Sequence, residues 1–211
     1  MEMKKIYFYP VWLRLWHLVN AIMFLILIFT GFSIQYATAS SSWIRFDIAI
    51  AIHDIAGIIL TINYLVFIFG NQVTENGKYY WLTKDGGWSR LKKQLHFYTF
   101  GIFNNQPHPF PLNEHRKFNP LQKLTYILAM YLLLPILIIT GLALYFPQIF
   151  DYIGLQSLVI ADMIHIAIGY FLSIFMVIHI YFCTVGHTMT SNFKSMLNGW
   201  HEVHDHPEDH P

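Results

Sequence analysis

Four histidines of this 211-residue chain, His17, His53, His165 and His179, stand in or at the edge of long apolar runs. An ionisable side chain in such a run is costly to keep, which makes a chemical use the default expectation. His165 and His179 are fourteen positions apart, which at about 100° per residue falls roughly 40° short of four full helical turns. They therefore share one helix face, separated by about 21 Å along the axis. Four residues after each histidine comes a small side chain: Ala21, Gly57, Gly169 and Cys183. A macrocycle held at its metal by a histidine needs a flat strip of helix to lie against, and small residues one turn on supply it. Two imidazoles at each of two depths in a helix bundle suit two b-type haems, each iron taking one ligand from each of two helices.

Such histidines must be carried by membrane helices. The chain is 55% hydrophobic and 12% charged, about half the charge of an ordinary soluble domain, so a soluble globular protein is excluded. A net charge of +1 argues against nucleic acid as a partner, which would need a basic face. Four segments are long and apolar enough to span a bilayer, about Leu15–Tyr36, Ile48–Phe69, Leu121–Phe146 and Leu158–Val185. The first has Lys4 and Lys5 ahead of it but runs too long for a signal peptide and lacks a small-residue cleavage site, so it reads as a retained helix. The expected fold is an all-α integral membrane four-helix bundle over residues 1–190, followed by a His- and acid-rich tail over 191–211.

Orientation follows from the distribution of Lys and Arg. Lys4, Lys5 and Arg14 precede the first span, eight cations lie between the second and third, and Lys194 follows the fourth, whereas Arg45 is the one cation in the two opposite connections. The positive-inside rule places both termini and the long connection in the cytoplasm of a bacterial cell, with the chain in the inner membrane. His17 and His179 then lie at the cytoplasmic depth, and His53 and His165 at the outer one. Asp54 and Asp162 sit beside the outer histidines, placed either to orient them or a haem propionate, or simply at the interface. The single Cys183 excludes a disulfide framework and covalent haem attachment, and reads as a packing residue.

Between the second and third spans, residues 70–120 contain an amphipathic stretch expected to lie at headgroup level through Trp81, Trp88, Phe97, Tyr98 and Phe100. The eight remaining histidines fall in this connection and the tail. In the tail His and acids alternate, a composition compatible with a divalent metal, although a solvated terminus that docks on a partner or stays disordered is the simpler reading. Thr30-Gly31 and Thr140-Gly141 each precede, after a short outer connection, a His followed by three residues and Gly, a faint helix-pair repeat. The third span has no histidine, and Tyr126 occupies the place that His17 holds in the first; this helix is expected to scaffold and to border a quinone. Two other uses of the same histidines are a divalent-metal transporter and a cofactor-free membrane anchor.

The elements Arg14-Leu15-Trp16-His17, Thr30-Gly31-Phe32, His53 with Gly57, Asn119-Pro120-Leu121-Gln122-Lys123, Thr140-Gly141-Leu142 and His165 to His179 resemble the di-haem cytochrome b subunits of bacterial respiratory complexes. These anchor nickel-iron hydrogenases, formate dehydrogenases (as the gamma subunit) and thiosulfate reductases. The resemblance covers about Tyr9 to Tyr181. It implies that His17 and His179 ligate a cytoplasmic-side haem and His53 and His165 an outer one. It further implies a quinone site, for menaquinone or ubiquinone, at Asn119, Gln122 and Lys123 near His179; the residues by themselves also read as helix capping by Asn119 and a snorkelling Lys123. The implied partners are an extracytoplasmic iron-sulfur or multihaem subunit and a catalytic subunit. The chain itself shows no site for hydrogen, formate or sulfur chemistry. The long central connection, with His96, His108 and His115, and the tail, with His201, His204, His206 and His210, depart from the family pattern.

Overall fold

The computed structural model describes residues 3–38, 43–81, 87–104, 106–111, 113, 116–148, 158–185 and 188–204. His115 of the central connection, His187, and His206 and His210 of the tail lie outside the described residues, and so does the metal-binding reading of the tail at His206 and His210. Four long helices form the molecule: α1 (Val11–Gln35), α2 (Phe46–Val73), α4 (Pro120–Tyr145) and α5 (Leu158–Thr184). The amphipathic helix α3 (Gly87–His96) lies in the long connection. A short helix α6 (Ser191–Asn198) follows the last span. All four long helices are apolar enough to cross a membrane, and they carry outward-facing Leu, Ile, Val and Phe side chains such as Phe29, Ile62, Phe69, Ile160 and Phe171, as a bilayer-facing surface requires. The chain is thus a multi-pass membrane protein with an all-helical bundle at its centre.

All four spans end within about four residues of the expected boundaries, and the fourth starts at Leu158 as expected. The first and second are longer at the end of the bundle that carries the long connection, because Val11–Arg14 and Gly70–Val73 extend the helices past the apolar window. Inside α4, Ala129–Leu133 forms a π-helical turn just ahead of Pro135. Proline donates no N–H and its ring crowds the carbonyl four residues back, here that of Tyr131, and a π turn accommodates both without breaking the helix. Leu60, Ala129, Leu134, Ile168 and Leu172 pack at mid-depth and tie α2, α4 and α5 together. Closer to the connection end, Leu13, Trp16 and Phe67 make a second cluster, with the Trp16 and Phe67 rings stacked at 4.5 Å.

The residues after the fourth span differ from a free tail as far as residue 204. Strand β2 (Trp200–His204) pairs antiparallel with β1 (Met3–Tyr7), with Tyr7 opposite Trp200 and Lys5 opposite Glu202. Gly199 makes this closure possible. Its φ of 89° lies in the left-handed region, its carbonyl accepts the N–H groups of Phe8 and Tyr9, and a Cβ there would lie 2.5 Å from the Tyr7 ring. Arg14 donates to the carbonyl of Leu197 at the C-terminal end of α6, where helix carbonyls are unpaired and a cation is favoured. A terminal tail with this composition looked solvated because a two-stranded ribbon needs a partner strand, and the partner lies almost two hundred residues away.

The interfacial stretch also differs in part. Trp81, Trp88 and Phe100 are exposed, as headgroup-level aromatics should be. Phe97 is buried and Tyr98 turns inward to meet Asn119 and Phe182. A π-helical turn over Phe97–Gly101 rotates these two rings off the exposed face, a local winding change that residue spacing does not reveal.

Candidate haem and quinone sites

At the end of the bundle away from the long connection, His53 on α2 faces His165 on α5, with ring centroids 6.3 Å apart and planes at 72°. At the connection end, His17 on α1 faces His179 on α5, again at 6.3 Å, with planes at 55°. These distances discriminate between two uses of a histidine pair. Rings joined by a direct N–H···N hydrogen bond of about 2.9 Å have centroids about 5 Å apart. Rings that bond one metal at about 2.0 Å from opposite sides have centroids about 6.3 Å apart, against about 5 Å at a tetrahedral angle. Both pairs have the second spacing. Among the described residues no group of three or more His, Cys, Asp or Glu could hold a metal ion. A two-imidazole site suits a metal whose remaining ligands come from a macrocycle, as in haem.

The strip beside the outer pair is open. A Cβ added at Gly57 would meet nothing within 4 Å, and at Gly169 it would come no nearer than 4.0 Å, to Leu137 Cδ1. Ala21, one turn after His17, is partly buried. The outer-pair rings are oriented by two threonines whose partnership with histidine was not expected. Thr30 Oγ1 lies 2.8 Å from His53 Nδ1, and Thr140 Oγ1 lies 3.1 Å from His165 Nδ1. Asp54 and Asp162, which stood as candidates for that task, hydrogen-bond no histidine among the described residues. The sequence did contain a signal for the threonines, the repeated Thr-Gly followed by His after a short connection, but nothing in the repeat showed that one half touches the other.

At the connection end, α1 and α2 are locked around His17. Trp16 Nε1 donates to the Asn63 carbonyl at 2.9 Å, and Asn63 Nδ2 donates back to the Trp16 carbonyl at 3.2 Å. Phe175 stacks on His179 at 6.0 Å, and the Tyr126 hydroxyl lies 3.4 Å from His179 Nδ1. Tyr126 is one turn beyond Gln122, so the start of α4 leads directly to the inner pair. There, Asn119 and Gln122 form a capping box: Asn119 Oδ1 accepts from the Gln122 N–H at 2.9 Å and Gln122 Oε1 accepts from the Asn119 N–H at 3.2 Å. Asn119 Nδ2 donates to the Tyr98 hydroxyl at 2.8 Å, and burial raises the Tyr98 pKa. The side-chain groups expected to meet a quinone are thus partly used in starting the helix. The Gln122 amide nitrogen and the Lys123 ammonium make no hydrogen bond among the described residues.

Beside this cap sits Lys117, which residue spacing did not single out. It is 3% exposed, donates to Asn76 Oδ1 at 2.7 Å and lies over the rings of Tyr9, Tyr79 and Phe118 at 4.8 to 5.8 Å. Burial pulls its pKa from 10.5 down to about 7. Asn76 donates in turn to Asn71, and Asn71 to the Tyr131 hydroxyl. A buried lysine paired with a neutral partner and three aromatic faces pins the long connection to α2 and α4.

Residues 8–199 match the family model described as prokaryotic cytochrome b561. The chain belongs to that family. It is 36% identical over 200 residues to YdhU of Escherichia coli (strain K12), a protein named as a cytochrome, across 94% of this chain and 75% of that one. No solved structure matches the chain. As a prokaryotic cytochrome b561 with four membrane helices, it is a membrane electron-transfer subunit.

Proposed function

We propose that this cytochrome b561 passes electrons between an extracytoplasmic redox partner and the membrane quinone pool, through two b haems held by His53 with His165 and by His17 with His179. The observation that carries this reading is the common 6.3 Å spacing of the two pairs on one face of α5. Haem bound there supplies one-electron redox chemistry. The protein's part is to hold the imidazoles at that spacing and to leave helix surface open at Gly57 and Gly169. It also excludes water with the Trp16–Phe67 and Phe175–Tyr126 aromatic groups.

The quinone is placed at the start of α4, where the capping box of Asn119 and Gln122 shapes the edge of the site. The Gln122 amide nitrogen and Lys123 are the donors left for a quinone oxygen, and Tyr126 lies between that position and His179. Both termini and the long connection face the cytoplasm in this reading, which puts His53 and His165 nearest an iron-sulfur or multihaem partner outside. The chain then works as the redox subunit of a larger complex whose substrate chemistry lies in another subunit.

An absorption spectrum of the purified protein, oxidised and then reduced with dithionite, tests the cofactor. A b-type alpha band is expected, and its absence would leave a metal transporter or a plain anchor as the readings of the same histidines. His165→Ala is expected to remove one haem and His179→Ala the other. Retention of both haems in either variant would refute the pairing.

A further inference from the structure

Resting on the haem reading above, we infer that Thr30 and Thr140 are positioning residues for the outer haem, each fixing the tautomer and electron density of the histidine on the following helix. The geometry assigns both halves of the hydrogen bond. Each threonine hydroxyl has one proton to give. Thr30 gives it to its own helix, at 2.7 Å from the Ile26 carbonyl. Thr140 does the same at 2.8 Å from the Ile136 carbonyl. With that proton spent, each hydroxyl oxygen meets the imidazole as an acceptor, so the proton between them belongs to Nδ1. The histidine is then the Nδ1–H tautomer, and the lone pair available to a metal is on Nε2.

The glycine after each threonine serves the same contact. A Cβ at Gly31 would lie 3.4 Å from His53 Cε1, and one at Gly141 would lie 3.0 Å from His165 Cε1. Each Thr-Gly pair therefore presents an oxygen to Nδ1 and a bare Cα to the neighbouring ring carbon, seating one edge of the imidazole. The arrangement occurs twice, α1 acting on α2 and α4 acting on α5, which gives the sequence repeat of Thr-Gly and His a physical role. A ligand imidazole that donates from Nδ1 is a stronger base at Nε2, and it favours the oxidised metal. Removing the acceptor is expected to make the outer haem easier to reduce.

The two sides are not equivalent, and that makes the inference testable. His165 Nδ1 has a second acceptor, the Leu137 carbonyl at 3.1 Å, whereas Thr30 is the acceptor found for His53 among the described residues. Thr30→Val should therefore shift the outer haem more than Thr140→Val does. The experiment is a redox titration of the purified, haem-loaded full-length protein, followed in the alpha band. Thr30→Val is expected to move one of the two components to more positive potential by about a tenfold change in its reduced-to-oxidised ratio, about 59 mV for one electron. Thr140→Val should move the same component less, while Thr30→Ser and Thr140→Ser titrate as wild type. Unchanged potentials in both valine variants, with both haems retained, overturn the assignment, as does a serine variant that behaves like valine. Where a valine variant loses haem, the serine variant decides: haem retained at the wild-type potential supports the hydroxyl's role, and haem lost there overturns it. Failure of the haem reading itself is distinguishable, because the wild-type protein would then show no alpha band.

Discussion

Lys117 is a buried lysine among three aromatic rings, and its environment predicts a pH effect. Burial lowers its pKa to about 7 in the folded protein, while an unfolded lysine stays near 10.4. Between those values the unfolded chain binds the extra proton, so stability rises with pH across about pH 7 to 10. Lys117→Met should abolish that contribution, so the melting temperature of the variant relative to wild type should fall as pH is raised from 7 to 10. A difference independent of pH would mean that Lys117 keeps its proton throughout and that the three rings around it outweigh desolvation. At the same scale, Thr30, Thr140, Trp16 and Tyr126 each touch or adjoin one of the paired histidines.

Among the elements, the β1–β2 ribbon is the one whose cost and benefit can be stated. It joins the segment before α1 to the segment after α6, and Gly199 is its hinge. A side chain at a positive φ costs about 1–2 kcal/mol, and here the added Cβ would also press on the Tyr7 ring and the Tyr9 carbonyl. Gly199→Ala is expected to loosen the ribbon by at least about 2 kcal/mol, seen as faster amide exchange at Phe8 and Tyr9 with the haem spectrum unchanged. The π turn in α4 is a second element-scale feature, one that answers Pro135 without ending the helix. Apolar periodicity showed α4 as a span but not this turn, because a π turn changes winding and leaves the hydropathy of the run intact.

For the whole molecule, the distribution of Lys and Arg makes an orientation prediction. Protease added to intact spheroplasts should leave the 70–120 connection uncut, while inverted membrane vesicles should release fragments ending within it. The opposite pattern would reverse the outer and cytoplasmic assignment of the two histidine pairs. Across the bundle, α5 supplies one histidine to each pair while α1 and α2 supply the other two.

What the amino-acid sequence by itself determined is the set of four spans, which key histidines share an end of the bundle and the small residues beside them, because these depend on hydropathy and helical pitch, which are local. Tertiary structure decided what meets what. It set the 6.3 Å gap between paired rings, brought Thr30 and Thr140 onto histidines of neighbouring helices, folded Lys117 under three aromatic rings, and paired residues 200–204 with the N-terminal strand. Each of these contacts joins residues that pitch and hydropathy do not relate, or uses a side-chain atom with two competing partners. Only the packed chain resolves which partner is within reach.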